Sequence, residues 1–430
     1  MEGGISPRFR IFVHVKKAYL LVLVAIASVF QAEAQMQAHD TCRFMTYNVL
    51  NFDYTGNFKE NYLRTIVSEI HPDIMVVQEL IDDSGAARFR DSVMLQVDTN
   101  YAMAEFINSY DTDNGLYYRK DKYAFLSNTV VTTELRDINQ FEMRHIASGI
   151  DFYVYSLHLK ASSGGTNAAQ RQREVDSLRK ATLALPDTAH ILVCGDFNIY
   201  GSYEEAYLHL LDPTDPGYVI DIWQDSLTST WNNIANTDYL TQSTRIAAFG
   251  GGSTGGMDDR FDMILMSPSL VDTAGMGYIP GSMYPVGNDG NRFDNEINDP
   301  VNTSVSEEMA DALYFTSDHI PMFAEFSFSY IIPEEPEDTT DTLIQQIAET
   351  DLLLQLYPNP AGDVITATSN FNAEGYIIYG ADGKTVYKMT EKSIPAGISE
   401  KIAIADLAPG LYVFVSFNGI KRVQSTFLKN

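Results

Sequence analysis

An α/β body of mixed sheets covered by helices, followed by a small all-β sandwich, is the fold the sequence predicts, on three observations. Between about residues 35 and 330, short apolar runs alternate with helix-like patterns. Several of these runs end in a polar side chain while two others begin with one, so strands that share a site must pass it in both directions. An all-parallel (β/α)₈ barrel, which gathers its site at carboxyl ends only, fits less well. From about residue 350, short strand-like runs are punctuated by Asn359-Pro360-Ala361-Gly362, Ala381-Asp382-Gly383-Lys384 and Ala408-Pro409-Gly410.

Taken in order, the chain opens with Arg8, Arg10, Lys16 and Lys17, then an apolar run over residues 18–30 and a small-x-small site ending at Ala34. This pattern predicts a secretory signal peptide over residues 1–34, too short in its apolar part for a permanent membrane span. The larger α/β body follows over 35–330. Residues 331–349 contain Pro-Glu-Glu-Pro-Glu-Asp-Thr-Thr-Asp-Thr and read as an acidic linker, and 350–430 form the β-domain. Of 430 residues 45% are apolar, enough for a sizeable core, and the net charge of −28 argues against a nucleic-acid binder with a broad basic face. The tail is neutral, with seven acidic and seven basic residues. Residues 35–330 hold 42 acidic and 18 basic ones. A phosphate substrate must therefore be met by something other than bulk charge, for which a divalent cation is the natural agent. Cys42 and Cys194 permit one disulfide at most. None is expected, because their different distances from Asn48 and Asp196 offset the two sulfurs along the sheets.

The chemistry gathers at strand ends. The run 44–49 contains Asn48, 72–78 leads to Glu79, 152–157 leads to His158, and 191–195 leads to Asp196 and Asn198; Asp262 precedes 263–266, and Asp318-His319 precede 320–324. Carboxylates and Asn dominate, which suits Mg²⁺ or Mn²⁺ rather than zinc. The Asp-x-His and Gly-Asn-His segments of two-metal phosphatases are missing. Residues 250–256, Gly-Gly-Gly-Ser-Thr-Gly-Gly, read as a mobile surface loop.

With these residues assembled, the stretch from about Cys42 to Phe328 resembles the endonuclease/exonuclease/phosphatase superfamily. The likeness rests on residues 45–50, 72–79, Ser156-Leu157-His158-Leu159-Lys160, Gly195-Asp196-Phe197-Asn198, Arg260-Phe261-Asp262 and Ser317-Asp318-His319, with Thr230-Trp231 and Arg171-x-x-Glu174 as weaker matches. It implies a DNase I-like four-layer α/β sandwich, two mixed sheets face to face with helices outside. It also implies that Glu79, Asn48 and Asp318 serve the metal, that His319, oriented by Asp262, and Asp196 flank the attacking water, and that Asn198 and His158 contact the phosphoryl group. The expected protein is a monomeric, cation-dependent phosphoesterase, foremost an extracellular nuclease, with a phosphatase, a lipid phosphodiesterase or a non-catalytic ligand-binding protein as alternatives. Ca²⁺ as a structural ion in the Asn/Asp-rich stretch 288–299 is left open. Arg119, Lys120, Lys122, Lys160, Arg171 and Arg173 are the local positives available to a nucleic acid, although Arg119-Lys120-Asp121-Lys122 reads foremost as a solvated hairpin rim. The tail, through Leu356-Tyr357-Pro358-Asn359-Pro360, Gly383-Lys384, Leu407-Ala408-Pro409-Gly410-Leu411-Tyr412 and Phe427-Leu428-Lys429, resembles the C-terminal sorting domain of the type IX secretion system of Bacteroidetes. That likeness implies partnership with the secretion machinery and release or attachment at the cell surface.

Overall fold

The computed structural model describes residues 37–55, 58–271, 275–331, 354–369, 371–380, 384–418 and 421–430. The expected signal peptide, and the expected linker beyond its first residue, lie outside these. The chain divides into two compact units, Met1–Glu335 and Pro336–Asn430.

The first unit contains two mixed sheets. One has the order β10-β12-β1-β2-β4-β3, with β11 also on β12; the other runs β5-β6-β7-β8-β9. Their strands are β1 (Gln37–Phe52), β2 (Ile74–Leu80), β3 (Tyr101–Met103), β4 (Asp113–Arg119), β5 (Tyr123–Val131), β6 (Ile138–His145), β7 (Asp151–His158), β8 (His190–Asp196), β9 (Asp262–Met266), β10 (Met276–Tyr278), β11 (Tyr284–Pro285) and β12 (Met322–Ile331). The pairs β1–β2 and β7–β8 are parallel, and the remaining ladders are antiparallel.

Strand periodicity decides the layering. Along β1, Cys42 and Phe44 enter the core shared by both sheets, whereas Met45, Tyr47 and Val49 enter a second core with α1 (Lys59–Ile70), α2 (Asp83–Phe89) and α5 (Glu307–Thr316). Along β8, Leu192 and Cys194 face the shared core, while Ile191 and Val193 pack with α3 (Gly165–Leu183) and α4 (Glu205–Leu211). Because side chains alternate, a one-residue slip would send each buried set into the other core, where it does not fit, so register is fixed. The result is the four-layer sandwich the sequence predicts.

Helix ends follow local chemistry. Asp82 and Ser306 cap α2 and α5 by accepting from Gly85 N and Met309 N, and Glu307 and Glu308 meet the positive end of α5. His71 closes α1 in the left-handed region, just before Pro72.

The second unit holds a three-stranded sheet, β13-β14-β17, and a four-stranded sheet, β16-β15-β18-β19, around a core that includes Ile365, Ile378, Ile402, Phe414 and Phe427. Its strands are β13 (Leu354–Tyr357), β14 (Val364–Ser369), β15 (Ala373–Gly380), β16 (Thr385–Ile394), β17 (Ser399–Ala403), β18 (Gly410–Asn418) and β19 (Lys421–Lys429).

Both cysteines are free and buried. They lie in the shared core, where burial pushes the Cys194 thiol up to about 12 and Cys42 higher still. Neither thiol is therefore expected to alkylate in the folded chain and both should in denaturant, so intact mass after labelling without reductant should read zero, then two.

The 288–299 stretch is built around an internal ion pair. Asp289 accepts from Arg292 Nε at 2.8 Å and Nη2 at 2.6 Å, and also from Asn291 N and Thr303 N. Donors thus occupy both carboxylate oxygens, leaving Asp289 ill suited to ligate Ca²⁺. Although burial alone would raise it, the bonds from Arg292, Thr303 and Asn291 hold this carboxyl well below the usual range. A depressed acid stabilises the fold above its unfolded pKa of about 4 and loses that contribution as the pH falls through its folded value. Asp289→Asn should therefore cost about 2 kcal/mol at pH 7, with the gap to the parent narrowing below about pH 4, as read by urea unfolding at both pH values.

Candidate active site

Strand register brings the polar ends together. His158 of β7 pairs with Asp196 of β8, which pairs with Asp262 of β9, so three of the expected residues occupy consecutive rungs of one sheet. In the other sheet, Asn48 of β1 pairs with Gln78, one residue before Glu79. Asp318 and His319 lie just before β12. Gly195 is required where β8 passes β7, because a Cβ there would collide with the Leu157 carbonyl.

Asn48 ties the two sheets. Its Nδ2 donates to Glu79 Oε1 at 2.9 Å and to Asp196 Oδ2 at 3.2 Å, while its Oδ1 accepts from Leu50 N. Glu79 sits at φ 64° and Asn198 at φ 50°, left-handed conformations that cost non-glycine residues free energy and collect where function requires them. Asn51 N fixes the other Glu79 oxygen at 2.9 Å, and Asn198 N donates to Asp196 Oδ1 at 3.0 Å.

His319 Nδ1 lies 2.7 Å from Asp262 Oδ2, and its Nε2 lies 3.7 Å from Asp196 Oδ2. Burial opposes its charge, but the carboxylates of Asp262, Asp318 and Asp196 raise its pKa well above the ordinary histidine range. Asp196 moves the opposite way from most carboxylates. Burial, with Asp262 and Glu79 nearby, raises it to about 7 against the pull of His319. The two titrate as a pair.

His158 is buried, 3.4 Å from Asp196 Oδ2 through Nε2 and 3.9 Å from Glu79 Oε1 through Nδ1. Burial, then the charges of Arg136 and His319, push its pKa well below the ordinary value, so the imidazole is neutral at pH 7. Its Nδ1 has no hydrogen-bond partner. One ligand atom each from Glu79, His158 and Asp196 lies within 4.8 Å of the others. Two carboxylates and a neutral imidazole with an unused nitrogen fit a divalent cation. This grouping differs from the expected one of Asn48, Glu79 and Asp318. Asn48 turns its N–H₂ toward the carboxylates, while Asp318 accepts from Ser253 N at 2.6 Å and Gln242 Nε2 at 3.1 Å through Oδ2 and keeps a buried Oδ1 without a partner.

Sequence reasoning missed Gln242, whose carboxamide lies 2.6 Å from His319 Nε2. Its nitrogen complements a neutral imidazole and its oxygen an imidazolium. Only a buried polar run, Thr241-Gln242-Ser243-Thr244, marks the position. Arg136, also missed, braces the end of β7 by donating to the His158 and Leu159 carbonyls. The 250–256 segment is anchored rather than bare. Arg245 binds the Phe249 and Gly251 carbonyls, and Gly252 lies so close to the Asp318 carboxyl that a side chain would displace it. All these groups surround a cavity of about 420 Å³ lined by Glu79, His158, Asp196, Asn198, Asp318 and His319 among others.

A four-layer sandwich whose sheets meet in this carboxylate–imidazole cavity has the architecture of a phosphoester-hydrolysing enzyme. The chain belongs to the endonuclease/exonuclease/phosphatase family, whose model matches residues 45–319, and it is a hydrolase of phosphoester bonds. Residues 355–429 match the secretion system C-terminal sorting domain, which indicates export and implies a secretion machinery as partner. Among solved structures, the chain is similar to D. rerio TDP2 complexed with a single strand DNA product (18% identity, TM-score 0.46, covering 67% of this chain and 99% of that one). It is likewise similar to the human Nocturnin catalytic domain with bound sulfate (16%, 0.43, 68% and 97%) and to a family protein from Bacteroides thetaiotaomicron (13%, 0.42, 68% and 99%). A search of the curated proteins returns no match. Among the described residues, no helix is long and apolar enough to cross a membrane.

Proposed function

We propose that the chain is a secreted or surface-attached monomeric nuclease that hydrolyses phosphodiester bonds by in-line attack of water, with Mg²⁺ or Mn²⁺ as its cofactor. The observation that best supports this is the convergence of Glu79, His158, Asp196 and His319 around Asn48, combined with the resemblance of Ser156-Leu157-His158-Leu159-Lys160 to the DNase-like and secreted-nuclease pattern. Glu79, His158 and Asp196 would hold the cation, with Asp318 beside them in the same cavity. A bound divalent cation supplies Lewis-acid polarisation of the phosphoryl oxygen and neutralises its charge.

The protein's own groups do the rest. Asp196 and His319 flank the attacking water, and its proton passes to this coupled pair. Asp262 holds the imidazole by Nδ1, and Gln242 steadies its other nitrogen. Asn198 turns a carboxamide toward the phosphoryl oxygens where charge builds. His158 lies beside the leaving oxygen.

The test is to incubate the full chain, Asp196→Ala and His319→Ala with plasmid, RNA, phospholipid esters and small phosphomonoesters, with and without Mg²⁺ or Mn²⁺. Cation-dependent cleavage of nucleic acid, reduced at least about 10³-fold in both variants, is expected. Turnover of monoesters or lipids alone would replace the nuclease reading with a phosphatase or lipid phosphodiesterase, and equal activity in parent and variants would remove the chemistry from this site.

A further inference from the structure

An acidic nuclease must hold a polyanion, and the structure removes the obvious means of doing so. Among the described residues lining the cavity, five are carboxylates (Glu79, Asp196, Asp258, Asp259 and Asp318) and none is Lys or Arg. The cations nearby in sequence are engaged elsewhere. Arg119 binds Asp121 and Asp98, and Lys122 binds Asp40 and Asp73, both at the opposite strand edge, where Tyr118 pairs with Ile74 at the start of β2. Arg171 is buried on Glu204, and Arg173 pairs with Glu134. Lys160 gives its Nζ to the Ala161 carbonyl.

Aromatic rings stand where cations do not. Tyr200, two residues beyond Asn198, lines the cavity half-buried, with the Arg171 guanidinium 5.4 Å from its ring centre and Phe261 packed edge-on at 5.0 Å. Bracing on two sides fixes the ring before any ligand arrives. Elsewhere in the loops, Tyr54 (64%), Tyr110 (77%) and Tyr203 (57%) are exposed. Tyr54 follows β1, and Tyr203 lies five residues past Asn198. Tyr110 precedes Asp111, whose carboxylate pairs with the Arg136 that braces His158.

We infer that the substrate is an unpaired nucleic-acid strand, gripped beyond the scissile phosphate through its bases, by Tyr200 and by exposed loop tyrosines, rather than through further phosphates by Lys and Arg. This rests on the nuclease reading above. An aromatic face stacks on any exposed base, whereas a duplex hides its bases and offers only phosphates, which find no Lys or Arg in the cavity lining.

The experiment compares cleavage by the full chain of a single strand of about ten nucleotides, its duplex and an abasic strand of equal length, from about 50 to 200 mM salt, with Mg²⁺ or Mn²⁺. Parent, Tyr200→Ala, Tyr200→Phe and the double variant Tyr54→Ala/Tyr203→Ala are compared. The unpaired strand should be cut with a kcat/KM at least about tenfold above the duplex and the abasic strand, with a salt slope no steeper than about one phosphate contact gives. Tyr200→Ala should raise KM for the base-bearing strand about tenfold and leave the abasic strand unchanged, Tyr200→Phe should restore the parent value, and the double variant should raise KM by a similar factor. Equal cleavage of duplex and single strand with a steep salt slope, or KM indifferent to Tyr200→Ala, would overturn this inference while leaving the nuclease reading intact. No cleavage of any nucleic acid would remove both.

Discussion

Asp262→Asn is expected to lower kcat about 10⁴-fold while KM and divalent-cation binding stay near parent values. Asp262 is wholly buried, and its carboxylate meets His319 Nδ1 at 2.7 Å. The carboxylate can only accept, so it selects the imidazole form that carries a proton on Nδ1. A carboxamide in the same place can donate, and it favours the opposite tautomer with almost no change in shape. The loss therefore falls on proton transfer. Steady-state kinetics and Mn²⁺ titration by calorimetry check it, and a variant that loses cation binding in parallel would mean that Asp262 supports the whole site. Because Asp262 and His319 act as one unit, combining Asp262→Asn with His319→Ala should cost little beyond the larger single loss.

The second large effect is structural. Arg260 is buried and binds both oxygens of Asp221, at 2.8 and 3.1 Å, with its guanidinium 4.9 Å from the Trp231 ring centre and 5.5 Å from that of Trp223. Tyr207 Oη completes the shell of Asp221 at 2.7 Å. Arg260→Leu leaves a carboxylate uncompensated in the interior, a loss of about 3–5 kcal/mol. In a domain of this size that corresponds to a fall in melting temperature of about 10 °C by circular dichroism. Adding Asp221→Leu should recover much of it, because the cost lies in the orphaned charge rather than in the missing attraction. Phe261 and Asp262 follow directly in the chain, so the less stable single variant should also lose activity near its transition.

Much of the site was legible because each functional group adjoins an apolar run whose strand character is evident. Asn48, Glu79, His158, Asp196, Asp262 and His319 all lie at or next to strand ends, and opposed strand directions required mixed sheets. Residues outside regular elements were not legible. Gln242 reaches His319 from a segment without helix or strand, and its partner is 77 positions away. The partners of the local positives were hidden for the same reason. Nothing in Arg119-Lys120-Asp121-Lys122 reveals that β4 and β5 meet at the edge remote from the cavity, or that Asp40 and Asp73 are waiting there. Likewise, the glycines of 250–256 suggested mobility, whereas Arg245 and Asp318, neither adjacent to the segment, anchor it.

The pairing of β1 with β12, Gln37 opposite Ile331 through Thr46 opposite Met322, joins nearly the first described stretch of the unit to its last. A chain that ends before Asp318 has no neighbour for that flank of β1 and no His319. The candidate site is therefore completed only when the two ends of the unit have met, and a chain shortened in this way is expected to be inert toward phosphoesters.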